Sequence, residues 1–449
     1  MTRHLPASTT DKLAAGRALR SEVPRSALAE IPAGSRDPLG IIAEQNATRL
    51  QELIPLRTER MSQSAFAFYR GTAAIMAADL ATCPSPRISV ISCGDAHVSN
   101  FGVYASPQRT LVFDLNDFDE AAWAPWEWDV KRLVTSVIVG GRATSRTPEV
   151  TERAGRQAVL AYRSALRASL ELTPLERYFT HFDAEGGLHR LDKKLRAPLK
   201  AAIRAARKRT GERAVRRLTS RGDDGRLRFV ERPPTMTHHP DALDEVGDPI
   251  RAYAATAPTD IRALLAKYTW VDFARRVVGV GRVGTRCALA LFQDGDGNGL
   301  ILQTTEAGPS VLEQYGRVAQ PSVLVAGYEA SGQGTRVVAL QRVLQAVSDP
   351  FLGYLQVRGV DLYVRQFHDM KGSIEVDTLD DTQFISYAQA CGITLARAHS
   401  QSTEVAVVVG YLGSGPAAIE AILEWSLGYA DLSAADYRAF TAGEQPTVP

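Results

Sequence analysis

Hydrophobic spacing changes character along the chain. "DPLGIIAEQNATRLQELIPLR", from Asp37, predicts a helix ended by a proline, and "SAFAFYRGTAAIMAADLA", from Ser64, is apolar and rich in small residues, as a buried helix is. "RISVIS" and "TLVFDL" are short β-branched runs that predict strands ending at Ser92 and Leu115. "WEWDVKRLVTSVIVGGRA", "TERAGRQAVLAYRSALRASL" and, late in the chain, "ISYAQACGITLARAHSQS" have helical spacing. From about Val271 strand-like runs alternate with Gly-rich turns, in "RRVVGVGRVGTRCALALFQDGDGNGLILQTTEA". The pattern predicts an α-rich first part, a mostly β middle and a helical return.

Length and charge narrow the class. A chain of 449 residues is too long for one ordinary core, which predicts two or three domains or lobes. The expected divisions are a loose Ala/Arg/Ser/Pro-rich segment 1–35, a mainly helical part 36–250, a β part 251–375 and a helical return 376–449. Hydrophobic residues make up 45% and charged residues 23%, as in soluble globular proteins. A net charge of +2 demands no nucleic-acid partner, and no apolar run predicts a membrane span or a signal peptide. Cys83, Cys93, Cys287 and Cys391 are isolated, which reads as reduced thiols in a cytoplasmic protein. The basic block Lys193–Arg217 reads as a solvated helical face, and "ERPPTMTHHPDAL" as a Pro-rich linker whose His238 and His239 lack a third metal ligand.

Candidate chemistry concentrates in two places. "SCGDAHVSNFGVY" carries Asp95, His97 and Asn100, and "FDLNDFDEA" follows with Asp114, Asp117 and Asp119. Both acidic groups follow strand-like runs, and sites are commonly built where strands hand over to loops. Phosphoryl transfer needs hard oxygen ligands for Mg²⁺ and an Asp near the attacking hydroxyl. Asp95 fits the base, with Asn100 and Asp117 as metal ligands. Asp114 alternates with hydrophobic residues and reads as a structural acid. The second place is "VVGVGRVGTR", where Gly279, Gly281 and Gly284 have G-x-G-x-x-G spacing. The strand-turn-strand texture after them predicts a hairpin, whereas a dinucleotide fold needs a helix there. "DGDGNGLILQTT", from Asp294, begins like a calcium loop, but Thr305 stands where a bidentate Glu is required, so it reads as a hairpin turn. Arg70 and Arg365, each beside aromatic residues, are candidates for a phosphate or a substrate acid.

The segment "CGDAHVSNFGVY…LVFDLNDFDEAAWAPWEWDVKRL" resembles the catalytic segment of the aminoglycoside phosphotransferase branch of the protein-kinase-like fold. The resemblance implies that Asp95 is the catalytic base and His97 the loop histidine. It makes Asn100 and Asp117 the metal ligands and Asp129 the buried Asp tying the helix start to the catalytic loop. The Gly-rich hairpin would cover nucleotide phosphates, Arg282 included. In an ordinary kinase that hairpin precedes the catalytic loop; here it follows. The implied architecture is therefore α+β, a two-lobe protein-kinase-like fold, circularly permuted. With "FAFYRGTAAIMAADLA" and "YVRQFHDMKGS", the arrangement resembles the bacterial DUF2252 family over roughly residues 35 to 430. The family's third strand reads like L-Q-V-K-E-A, while this chain has "LQTTEA", so Thr305 replaces the phosphate-binding Lys and Glu313 is its would-be partner. Arg282, Arg286 or Lys371 are expected substitutes. The expected function is ATP- and Mg²⁺-dependent transfer to a hydroxyl of a small molecule or protein. A nucleotide-binding pseudokinase and nucleotidyl transfer are the alternatives.

Overall fold

The computed structural model describes residues 5–186, 196–238, 249–277, 279, 281–367 and 370–443, and it is a mixed α+β structure. Its largest sheet has six antiparallel strands in the order Gly353–Val357, Val360–Gln366, Gly299–Glu306, Cys287–Gln293, Thr269–Arg276 and Met236–His238. The near-continuous apolar run "CALALF" has a physical reason. Its strand is covered on both faces, with Leu289 and Leu291 in one core cluster and Ala290 and Phe292 in another. The turn after it is a hairpin turn, as expected. Asp294 accepts hydrogen bonds from Asp296 N (3.0 Å), Asn298 N (2.8 Å) and Asn298 Nδ2 (2.9 Å), so the acid is satisfied by its own loop.

Helices Trp126–Ala143, Pro148–Ser169, Asp381–His399 and Ala417–Thr441 build the main body around the largest apolar cluster. Asp380 and Gln383 form a capping box that starts the third of these helices. That helix lies tightly along Pro148–Ser169: a Cβ on Gly392 would sit 2.3 Å from the Ala158 carbonyl oxygen. The late chain thus returns to the body formed by the early chain. Beside it, Phe101–Ala105 pairs with Leu111–Leu115 and Gly372–Ser373, and Ser89–Ser92 pairs with Ala122–Pro125.

Four expectations change. The run from Ser64 is two helices, Ala65–Arg70 and Ala73–Leu80, because the chain turns at Gly71 and Thr72. "FGVYA", within the stretch taken as loop, is a strand with all five residues buried. The Pro-rich linker holds the edge strand Met236–His238, where His238 Nε2 lies 2.9 Å from Asp272 Oδ2; His239 lies outside the described residues. The N-terminal segment is packed rather than loose. Its helix Thr9–Ala18 meets Val405–Leu412 through Gly16, Leu28 is fully buried, and Arg20 and Arg25 donate to the Tyr411 and Leu412 carbonyls. Those carbonyls end a helix, where cations are favoured. The described part of the basic block does present a solvated face. Leu199, Ile203, Val215 and Leu218 point inward while Lys200, Arg204, Arg213 and Arg216 are exposed. Among the described residues, no single helix is long and apolar enough to cross a membrane.

Candidate functional site

The first candidate segment starts from a buried anchor. Asp129, in the first turn of Trp126–Ala143, accepts hydrogen bonds from Cys93 N (2.8 Å) and Gly94 N (3.0 Å). His399 Nε2 lies 3.2 Å from the same carboxylate, and its Nδ1 lies 2.9 Å from the Tyr162 hydroxyl. The loop after Ser89–Ser92 is therefore fixed by a carboxylate from another element. Gly94 turns the chain at φ +79°, and a Cβ there would sit 2.2 Å from the Glu120 carbonyl oxygen. Only glycine meets both demands.

This anchoring delivers Asp95 half-buried at a cavity wall. Arg132 Nε donates to Asp95 Oδ1 at 2.9 Å, and His97 Nε2 lies 3.6 Å from Oδ2. Arg132 also donates to the Tyr69 carbonyl (2.8 Å) and stacks on its ring. Burial raises the Asp95 carboxyl above the ordinary aspartate range, and Arg132 opposes the rise. Burial, then Arg70 and Arg132, push His97 well below the ordinary imidazole range. Its Nδ1 is buried without a hydrogen-bond partner. Asn100 Nδ2 donates to the Asp95 carbonyl (2.8 Å), which leaves Oδ1 with no partner among the described residues.

Asp117 and Asp119 face the same cavity from the loop after Leu111–Leu115, and both are paired to Arg282 of the Gly-rich loop. Asp119 Oδ1 is buried with no partner. Burial acts to raise both acids. For Asp117 the cations Arg282, Arg365 and Lys371, with His97, outweigh it and bring the carboxyl below its ordinary range, while Asp119 stays raised. Asp114 is structural, accepting from Leu115 N and Ala346 N at 2.8 and 2.7 Å.

The two candidate segments meet at one cavity of about 690 Å³. Asp95, His97, Asn100, Asp117 and Asp119 line it, together with Gly279, Gly281, Arg282, Arg70 and Arg365. The Gly-rich loop joins two adjacent antiparallel strands, with Gly279 and Gly284 at positive φ. An N-terminal stretch holds it in place: Arg49 donates to Val283 O, Leu50 N to Gly284 O and Arg60 to Gly279 O.

Other expected residues fall elsewhere. Thr305 is 1% exposed and does not line the cavity; its hydroxyl packs against Gln303 Nε2 (3.2 Å) and Cys287 Sγ. Glu313 accepts from the Tyr328 hydroxyl at 2.8 Å and is likewise outside the lining. Arg286 does not itself line the cavity; it is paired to Glu306, which does. Gly284 supports the loop without facing the cavity. Lys371 sits behind the lining, and burial followed by Arg365 and Arg282 pushes its ammonium down to about 7.

Three site residues escaped the sequence reading. Arg132 had a signal, standing three residues after Asp129 on the same helix. Glu120, raised by burial to about 7, accepts from Val311 N at 2.7 Å. Arg336, fully buried, donates to the Ala121, Asp119 and Gly308 carbonyls and so ties the acidic loop to the sheet. Nothing in the sequence around Arg336 marks it, since the carbonyls it bonds lie 28, 215 and 217 residues away in the chain.

Among the described residues, no group of three or more His, Cys, Asp or Glu is gathered closely enough to hold a metal by itself. Mg²⁺ does not require one, since one or two carboxylates and substrate phosphates commonly complete its shell. The orphaned Asp119 Oδ1, the free Asn100 Oδ1 and the convergence of Asp117 and Asp119 on a cation fit that mode of binding.

The profile of a family described as "Uncharacterized protein conserved in bacteria (DUF2252)" matches residues 49–443. No curated protein and no solved structure matches the chain.

Proposed function

We propose that this chain, which belongs to the DUF2252 family over residues 49–443, is an ATP- and Mg²⁺-dependent phosphotransferase acting on a hydroxyl of a small molecule or protein. The observation that carries the reading is the meeting of Asp95, Asn100 and Asp117 with Gly279, Gly281 and Arg282 at one cavity, from segments far apart in the chain. The strand order of the large sheet, with the Gly-rich loop joining two of its neighbours, supports a kinase-like nucleotide lobe. The return of Asp381–His399 onto the early helices supports a circular permutation, with 36–250 and 376–449 forming one lobe and 251–375 the other.

In this reading Asp95 takes the proton of the attacking hydroxyl, with Arg132 and His97 fixing its carboxylate. Gly279 and Gly281 let backbone N–H groups approach the phosphates. Asn100 and Asp117, with Asp119 beside them, would hold Mg²⁺, which would neutralise phosphate charge. Arg282 holds Asp117 and Asp119 toward the Gly-rich loop. Nucleotidyl transfer would use the same groups.

A second reading, a nucleotide-binding pseudokinase, is favoured by the sealed Thr305 and by the capping of Asp117 by Arg282. Thermal shift with ATP in the presence and absence of Mg²⁺, followed by turnover against a panel of hydroxyl acceptors, separates the readings. Mg²⁺-dependent turnover removed by Asp95→Asn supports the enzyme. Binding without turnover supports the pseudokinase. No binding of any nucleotide sinks both.

A further inference from the structure

The loss of the third-strand lysine leaves a question that the register of the sheet answers. In the Gly299–Glu306 strand, Gln303 lies opposite Arg365 and Thr305 opposite Tyr363. Directly opposed residues share a sheet face, and so do residues two apart on one strand. Thr305, Gln303, Tyr363 and Arg365 therefore lie on a single face. Of the four, Arg365 alone lines the cavity. It is the diagonal neighbour of Thr305, an offset of roughly 7–8 Å that a long side chain spans.

Four other cations here are paired, whereas Arg70 and Lys371 carry no side-chain hydrogen bond or ion pair among the described residues, and Lys371 does not line the cavity. Arg282 is paired to Asp117 and Asp119, Arg286 to Glu306, Arg132 to Asp95, and Arg336 to three carbonyls. Arg70 lines the cavity too, but it acts on Asp95 and His97, at the attacking end. No hydrogen bond or ion pair engages the Arg365 guanidinium among the described residues. It is half-buried on the sheet that carries the Gly-rich loop, and its charge acts on Asp117.

We propose that Arg365 is the phosphate-binding cation of this site, supplying from the neighbouring strand the contact a third-strand lysine would make. The inference rests on the nucleotide-binding reading above. It also says why position 305 is free to be Thr: the cationic contact comes from one strand over, and the pocket around Thr305 has closed on Gln303 and Cys287. A guanidinium adds two parallel donors where a lysine offers a point charge.

The test is calorimetry of ATP and of adenosine, each with Mg²⁺, on the parent, Arg365→Ala, Arg365→Lys and Thr305→Lys. A charge-assisted phosphate contact predicts that Arg365→Ala weakens ATP binding about ten- to a hundredfold and leaves adenosine unchanged. Arg365→Lys should fall between that variant and the parent, and Thr305→Lys should gain nothing. Arg365→Ala binding ATP like the parent would overturn the inference. So would an equal loss for ATP and adenosine, which a merely structural role would give. A tighter ATP complex in Thr305→Lys would show that the position was waiting for its lysine, and overturns it as well. A parent that binds neither ligand overturns the nucleotide reading itself, an outcome distinct from the others.

Discussion

Asp95 and Asp117 face one cavity, yet they are held by different kinds of structure. Asp95 is supported from its own neighbourhood in sequence: Asp129 fixes the backbone before it, and Arg132, on the same helix as Asp129, fixes its carboxylate. Asp117 has its cation from Arg282, 165 residues further along the chain. The first arrangement is made mostly within the early segment, with His399 joining the anchor from the late helix. The second exists only when the Gly-rich loop is seated, which depends on Arg49, Leu50 and Arg60. The proposed base is thus built into the body, while the proposed metal carboxylates are shared with the Gly-rich loop.

That contrast can be broken most severely at its anchor. Asp129→Ala leaves two backbone N–H groups and His399 without their acceptor in a site about 1–2% exposed. Breaking such a buried pair costs roughly 3–5 kcal/mol, so urea denaturation should show a loss of that size, with Asp129→Asn milder because its carbonyl oxygen still accepts. A loss below about 1 kcal/mol would mean that the loop is held by something else.

Next in size is the base. Asp95→Asn should cut turnover by roughly 10²-fold or more while ATP affinity barely moves. Undiminished turnover in the variant would remove Asp95 from the role. On the other side of the joint, Asp117→Ala should erase the effect of Mg²⁺ on ATP affinity in a protein that stays folded. Titrations with and without Mg²⁺ that still differ as they do in the parent would refute the metal assignment.

The smallest effect sharpens how rigid the body is. Lys131, between Asp129 and Arg132, is 1% exposed over the Trp425 ring, and burial pushes its ammonium down to about 8 although Glu127 acts in the opposite sense. The unfolded chain then binds this proton more tightly than the folded one between about pH 8 and 10.5. Stability from this residue should rise with pH through that window and be lost again as pH falls toward 8. Stability curves of the parent and Lys131→Met should diverge in slope only there. Parallel slopes would place the ammonium in water.

Much of the architecture was legible because it is local. Periodicity found the helix Trp126–Ala143 and the meander around "DGDGNG"; spacing nominated Asp95, Asn100 and Asp117, which sit close to strand ends, while Asp129 came from the segment's resemblance to kinase-like proteins. The split at Gly71 was harder, because a short apolar helix and half of a long one have the same composition. The packing of Thr9–Ala18 was invisible, because its partner is Val405–Leu412 at the far end of the chain.

The sequence by itself singled out Asp95, Asn100 and Asp117 as candidates in the early segment, and it flagged Thr305 as a departure from the pattern it resembles. It did not determine what replaces the missing cation. Thr305, Arg282, Arg286, Arg365 and Lys371 differ little in local context, and only strand register and loop seating separate them. Pairing put Arg365 in the cavity lining beside a sealed Thr305, tied Arg286 to Glu306 and placed Arg282 against two carboxylates. Register is fixed by contacts between strands more than 50 residues apart, and no window along the chain contains that information.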